Sequence, residues 1–307
     1  MNPVVILNPA ARGGKAKSQW PHISQAIFES IGPFEFFETN HPGHAQTLSR
    51  EAMARGVEWI IVIGGDGTFS EAVNGLYQGH KKSKGKACFT PLMLGTGGDF
   101  QRSLDLPPHL FDRIKRLKDA PIRNLDLGRI EFTNFEGQAQ TRCFVNVTSF
   151  GMGGEVAKVV NQAKFARLFG GKALFYWATF KALLGYPNYL VKIKAKEREL
   201  EFRANSVAVA NGRFFGGGMC IAPDADLEDG KLVVTCIGDV GSIDLIRSTN
   251  ILYDGGIYSH PKIEHFSTAK LEAQAMEGNI HLEIDGESLG GLPASFWVER
   301  GALHIKA

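Results

Sequence analysis

Short apolar runs recur along the first third of the chain, each followed by a stretch whose apolar positions return every three or four residues. The pattern predicts a buried strand over 4–7, a helix over 17–30 and a second strand over 34–37. Pro42-Gly43 then opens a helix that carries Leu48, Ala52 and Met53 on one face. Trp59-Ile60-Ile61-Val62-Ile63 is continuously apolar, as strands are when both faces of a parallel sheet are covered. A further helix, with Phe69, Val73 and Leu76 on its core face, precedes a strand over 89–94. Strand and helix alternating in this way predict a doubly wound α/β domain.

From about Leu125 the rhythm changes. Val191, Ile193 and Ala195 face one way while Lys192, Lys194 and Lys196 face the other, the mark of an antiparallel strand with one wet side. Runs at 207–210, 232–237, 281–284 and 296–298 continue the pattern, and one long helical stretch at 163–184 interrupts it. The expected organisation is an α/β domain over 1–123, to which a tail of about 299–307 returns, and a mainly antiparallel β-sandwich over 124–298.

Composition narrows the class. With 307 residues, 44% hydrophobic and 21% charged, the chain has too much apolar content and too little net charge to be disordered. Thirty-four Lys+Arg against thirty-two Asp+Glu leave +2, which is no electrostatic footprint for nucleic acid. Cys88, Cys143, Cys220 and Cys236 are widely spaced and form no CxxC pair, so they read as reduced thiols in a reducing compartment. The amino terminus lacks a basic leader and reads as a first strand. Lys164, Arg167, Lys172 and Lys181 break up the most apolar stretch, whereas a membrane span needs ~20 apolar residues. A cytoplasmic chain, peripheral at the membrane if it meets one, is the expectation. The basic run over 81–86 reads as a solvated loop.

The candidate chemistry lies in the placement of 36 glycines. Gly64-Gly65-Asp66-Gly67-Thr68 follows directly on the apolar strand and opens a helix. Thr68 and Glu71 have capping-box spacing, which places Thr68 at the helix amino terminus. Backbone N–H groups and the positive end of the helix dipole then face the carboxyl edge of a parallel sheet. An anion is the expected occupant there, most simply a nucleotide phosphate. Asp66 reads as orienting a metal, contacting ribose and phosphate, or capping the helix. Neither the GxxxxGK[ST] loop nor the GxGxxG fingerprint is present, so hydride transfer loses its main support. Residues 8–16 and 95–100 form turns of the same kind after their own strands, and such strand ends converge on one crevice.

These turns, with Asn8-Pro9, Gly216-Gly217-Gly218, Ala222-Pro223, Asp229-Gly230-Lys231-Leu232 and Asp285-Gly286-Glu287, run in order along essentially the whole chain. In that combination the chain resembles the diacylglycerol-kinase catalytic-domain superfamily, which includes sphingosine kinases and bacterial soluble lipid kinases. GGDGT alone is shared with NAD kinases and phosphofructokinase-like enzymes. The resemblance implies ATP and Mg²⁺ as cofactors. It implies ATP lying against Asn8, Pro9, Ala10, Ala11, Arg12, Thr39, Gly64, Gly65, Asp66, Gly67, Thr68, Phe69, Ser70 and Thr96. Asp66 would act near the phosphates and the catalytic Mg²⁺ with Asp99 close by, and Glu287 would be the general base on the lipid hydroxyl. A second, structural Mg²⁺ would be held by the Asp229 side chain and the carbonyls of Asp226 and Lys231. Three positions depart from the family pattern, which often has Gly where Arg12 stands and Asn where Ser70 and Gly98 stand.

Read without the resemblance, Asp285-Gly286 is an ordinary two-residue hairpin signal, and a tight turn of that kind can still present Glu287. The acidic run 224–229 equally reads as a surface turn, since EF-hand spacing is absent. The aromatic-rich stretch 163–184 reads either as an amphipathic surface that docks on a membrane or as a helix packed on the β-domain with snorkelling lysines. The leading expectation is ATP-dependent phosphorylation of a hydroxyl of diacylglycerol or a related lipid. The implied partners are the lipid and a transient membrane surface, with no nucleic acid and a homodimer left open. Two alternatives remain: a kinase of a soluble metabolite such as NAD, and a non-catalytic regulator that binds nucleotide or lipid.

Overall fold

Every residue of Val4–Leu7 (β1) is fully buried, so both faces of this strand must be covered. The computed structural model describes residues 2–80, 87–94, 97–162, 186–241 and 249–307. Thr96, the basic run 81–86 and the helical stretch expected at 163–184 lie outside the described residues. The chain divides into two compact units, Met1–Leu127 with Arg300–Ala307, and Gly128–Glu299.

In the first unit β1 pairs in parallel with Glu35–Glu38 (β2) on one side and with Trp59–Gly64 (β3) on the other. Cys88–Met93 (β4) pairs in parallel with β3, and Ile305 near the carboxyl terminus pairs in parallel with Phe89 of β4. The connecting helices are Lys15–Ile31 (α1), His44–Ala54 (α2), Asp66–His80 (α3), Asp99–Ser103 (α4) and Leu110–Arg116 (α5). Val5, Leu7, Ile61, Ile63 and Leu92 form one apolar layer with Ile23 and Ile27 of α1 and Ile114 of α5. The alternate strand residues Val4, Ile6, Ile60 and Val62 are equally buried, so the sheet is covered on both faces and the unit is doubly wound.

The second unit is built from antiparallel strands. It continues from Ile122–Asn134 (β5) through Ala139–Phe144 (β6) and Val147–Gly151 (β7) to a helix, Met152–Gln162 (α6). Then come Tyr189–Ala195 (β8), Glu199–Ala204 (β9), Ser206–Ala210 (β10), Phe214–Phe215 (β11), Met219–Cys220 (β12) and Leu232–Ile237 (β13). Ile263–Thr268 (β14), Lys270–Ala275 (β15), His281–Ile284 (β16) and Glu287–Lys306 (β17) complete it, β17 up to Glu299, since Arg300 onward belongs to the first unit. One run of neighbours is β14-β13-β10-β7-β16-β17, and a second is β17-β15-β8-β9. Phe144, Phe150, Val191, Ile193, Val207, Leu232, Leu271 and Phe296 share one core, as a β-sandwich requires. Alternation on β8 behaves as its sequence predicts, with Val191 and Ile193 buried and Lys194 exposed. All four cysteines are free thiols. Burial pushes Cys143 up to about 11 and Cys236 up to about 12, so neither is a thiolate near neutral pH.

Helices α2 and α3 approach closely because Gly75 leaves room: a Cβ there would lie 2.1 Å from the Gln46 backbone oxygen. Gly75→Ala should therefore force the helices apart at a cost of about 1–3 kcal/mol, the usual cost of overpacking. A thermal melt followed by circular dichroism should show a midpoint several degrees below wild type. An unchanged midpoint would contradict this packing.

Candidate functional site

Three strand ends of the first unit carry the candidate phosphate site. After β1, Asn8 organises its own turn. Its Oδ1 accepts the Ala10 N–H at 3.0 Å, and its Nδ2 donates to Thr68 Oγ1 at 2.9 Å. Arg12, Gly13 and Gly14 then all have left-handed φ, at 54°, 67° and 87°, before α1 begins at Lys15. The Thr39 amide donates to Leu7 O at 2.9 Å, which holds the buried Thr39 at the end of β1.

After β3, helix α3 starts earlier than its sequence suggests. Its first intrahelical bond runs from the Phe69 N–H to Gly65 O at 3.2 Å. Asp66, Gly67 and Thr68 are thus its first three residues, and Thr68 is not the cap. The capping-box expectation is overturned for two reasons. The Thr68 hydroxyl is occupied by Asn8, and Glu71 instead accepts the Gly43 and Ala45 amides at 2.8 and 3.3 Å, capping α2. Gly64 is required at the end of β3, because a Cβ there would come within 2.6 Å of the Thr68 side chain. The first amides of an α-helix have no intrahelical partner and carry the positive end of its dipole, so this edge suits an anion. Ser70 is buried, with its carbonyl accepting the Asn74 amide. The Phe69 ring is fully buried edge-on to Phe89, so Phe69 offers the site its backbone and not its side chain.

The turn before α4 closes on Asp66. Gly98 N–H donates to Asp66 Oδ2 at 3.0 Å, and a Cβ on Gly97 would lie 2.5 Å from that same oxygen. Asp66 Oδ1 is shielded from solvent and meets no hydrogen-bond partner among the described residues. Burial pushes the Asp66 carboxyl up from 3.8, the neighbouring Asp99 adds to the push, and the Gly98 amide opposes it. Asp99 is itself buried and pairs with Arg102 at 2.9 Å. Gly98 has φ 68°, a left-handed conformation that Gly and Asn share, so Gly in place of the family's Asn preserves the turn. A shielded carboxylate oxygen of this kind suits a hard cation. Among the described residues no group of three or more His, Cys, Asp and Glu could hold a metal.

In the second unit Asp285 and Gly286 have φ of 47° and 91°, the two left-handed residues of a type I′ hairpin between β16 and β17. Ile284 pairs with Glu287, so Glu287 is the first residue out of the turn, and it is half-buried. The Asp285 carboxylate accepts the Val145 and Asn146 amides at 3.0 and 3.2 Å, which fixes the turn against the β6–β7 connection. Elsewhere in this unit, Asp226 Oδ1 accepts the Glu228 amide and Asp229 Oδ1 the Lys231 amide, both at 2.9 Å. The acidic segment is thus two successive Asx turns, with Asp226, Asp229 and Lys231 brought close along the chain. Sequence reasoning missed Glu283, a buried carboxylate on β16 that accepts hydrogen bonds from Ser149 Oγ and the Gly286 amide. The available signal was a charge at the position between Leu282 and Ile284, two residues before the turn.

The chain matches two family models: the diacylglycerol kinase catalytic domain over residues 2–130, and the YegS C-terminal NAD kinase beta sandwich-like domain over residues 146–307. Among curated proteins it is 28% identical over 268 residues to the "Probable lipid kinase YegS-like" of Pseudomonas aeruginosa strain PAO1, covering 86% of this chain and 81% of that one. It is 24% identical over 293 residues to the "Diacylglycerol kinase" of Staphylococcus carnosus, covering 95% and 90%. A crystal structure of a diacylglycerol kinase from Bacillus anthracis has the same fold, with a TM-score of 0.72 at 19% identity over 99% of this chain and 96% of that one. A second crystal structure from that organism reaches a TM-score of 0.79 at 21% identity, over 99% and 97%. The chain belongs to the diacylglycerol kinase and YegS family of lipid kinases.

The strain on Asp66 has a measurable signature. Folding raises its pKa, so the folded chain keeps a proton that the unfolded chain has released. This carboxyl therefore weakens the fold progressively as pH rises above the ordinary carboxylate range. Asp66→Asn should melt a few degrees above wild type at pH 7, and the gap should shrink towards pH 4. Identical melting at both pH values would contradict the raised pKa.

Proposed function

We propose that the chain transfers the γ-phosphoryl group of ATP to a hydroxyl of diacylglycerol or a related lipid. The observation that carries this reading is the Asp66 cradle, a shielded carboxylate held against Gly97 and Gly98 at the amino terminus of α3 and the carboxyl edge of a parallel sheet. ATP would bind against the turns of Asn8 to Arg12 and Gly64 to Ser70, together with Thr39 and Thr96. Phosphoryl transfer relies on positioning and charge neutralisation more than on covalent chemistry with the protein. Asp66, with Asp99 close behind it, would hold Mg²⁺, which when bound neutralises charge on the transferring phosphate. The second Mg²⁺ would sit on the Asp229 carboxylate and the carbonyls of Asp226 and Lys231, an all-oxygen donor set suited to a hard cation.

Glu287 would accept the proton of the lipid hydroxyl as that oxygen attacks the γ-phosphorus, while ADP leaves with the electron pair of the broken P–O bond. Its place at the exit of a rigid hairpin supports this role, because a base must be held within hydrogen-bond reach of the proton it takes. The acceptor would reach the protein from a membrane surface by transient contact. No helix among the described residues is long and apolar enough to cross a membrane.

Glu287→Gln should lower turnover by about 10²–10⁴-fold, the usual worth of a general base, without shifting the melting temperature. Wild-type turnover in that variant would overturn the role of Glu287. Labelled ATP with Mg²⁺, offered liposomes containing diacylglycerol and separately soluble acceptors including NAD, should label lipid alone. Label confined to a soluble acceptor would overturn the lipid assignment.

A further inference from the structure

Leu282 and Ile284 of β16 point into the sandwich core, which sends Glu283 to the opposite face of the strand. There it is 6% exposed and lies directly across from Ser149 of β7. A buried carboxylate is costly unless hydrogen-bonded. Glu283 Oε2 accepts the Ser149 hydroxyl at 2.7 Å, and Oε1 accepts the Gly286 amide at 2.5 Å. Its backbone carbonyl accepts the Thr148 hydroxyl at 2.6 Å. The first turn of α6 presses on the same face through Gly153 and Gly154. A Cβ on Gly153 would lie 2.4 Å from Ser149 Oγ, and one on Gly154 would lie 2.2 Å from His281 O.

The fold does not ask for a charge here. An Asp-Gly hairpin forms without one, and an apolar side chain at this position would avoid the cost of burying a carboxylate. What the carboxylate adds is a hold on the amide of Gly286, the residue immediately before Glu287. The pairing of β16 with β17 also shifts register between Leu282 and Glu283, and such irregularities re-aim side chains beside functional sites. With Asp285 anchored to Val145 and Asn146 on the other side, the turn is clamped from both ends.

We infer that Glu283, seated by Ser149, is a positioning residue that fixes the Asp285-Gly286-Glu287 turn and so aims the Glu287 carboxylate. The inference rests on Glu287 being the base. The test compares wild type, Glu283→Ala, Glu283→Gln, Ser149→Ala and Glu287→Gln. Each is assayed for phosphoryl transfer from Mg-ATP to a short-chain diacylglycerol in mixed micelles, with calorimetric ATP binding and thermal melts alongside. Glu283→Ala should lower kcat by about 10–100-fold, the range for residues that orient a reacting group, with ATP affinity held within about twofold. Glu283→Gln keeps an oxygen for the Gly286 amide and should recover most of that loss, which a role in charge or in ATP binding would not allow. A kcat within about twofold of wild type in Glu283→Ala, or equal losses in the Ala and Gln variants, would overturn the inference. Should Glu283→Ala not fold, a several-fold fall in kcat for Ser149→Ala beside a near-normal Glu283→Gln supports it, and wild-type kcat in both overturns it. Loss of turnover in Glu287→Gln with Glu283→Ala intact overturns the positioning role alone. Full turnover in Glu287→Gln, or a wild-type chain inactive on this acceptor, overturns the underlying reading and the positioning role with it.

Discussion

The backbone of Gly97 and Gly98 lies directly against the Asp66 carboxylate, and the surrounding first unit is arranged to keep it there. A Cβ at position 97 would press on one carboxylate oxygen, and the Gly98 amide donates to that same oxygen. Gly64 lets Thr68 sit tightly against the end of β3, and Thr68 in turn receives the Asn8 amide from the end of β1. The carboxyl ends of β1, β3 and β4 are thereby joined through short contacts that only small residues permit. A parallel sheet brings these ends to one edge, and the edge is where open α/β sheets bind ligands. The arrangement has a cost in stability. Asp66 is buried beside a second carboxylate, and its raised pKa records the strain that a bound cation would relieve.

A common device recurs in both units: a carboxylate accepts the backbone amides of a tight turn. Glu71 does this for α2 at Gly43 and Ala45, Asp66 for Gly98, Asp285 for Val145 and Asn146, and Glu283 for Gly286. Hydrogen bonds from N–H groups to a carboxyl group strengthen when that group is ionised, and each fixes a loop that would otherwise rely on its own stiffness. Glycine supplies the backbone freedom and the carboxylate removes what is not wanted. Gly43, Gly98 and Gly286 each show that pairing.

Much of the fold was legible because local period encodes faces. The unbroken apolar run at 59–63 implied a strand covered on both sides, and the alternation at 191–195 implied one wet face. Both took those forms. The Asp285-Gly286 pair announced its hairpin, since few other residues adopt two left-handed conformations in a row. Contacts between distant positions were not legible. Thr68 and Glu71 have capping-box spacing, yet their partners, Asn8 and the start of α2, lie far away in sequence. Glu283 looked like one more strand residue, because its function depends on Ser149 across the sheet. The departure at Gly98 falls on a left-handed φ, which shows why Gly can stand there.

The central claim is that the close approach of Gly97 to Asp66 builds the site for nucleotide phosphate. Gly97 is not in the left-handed region, so alanine there introduces no backbone strain and acts by displacing the carboxylate. Calorimetric titration of Gly97→Ala with Mg-ATP, alongside wild type, measures the claim directly. At least a tenfold loss of affinity, with the melting temperature within a few degrees of wild type, is the predicted result. Affinity within twofold of wild type would contradict it.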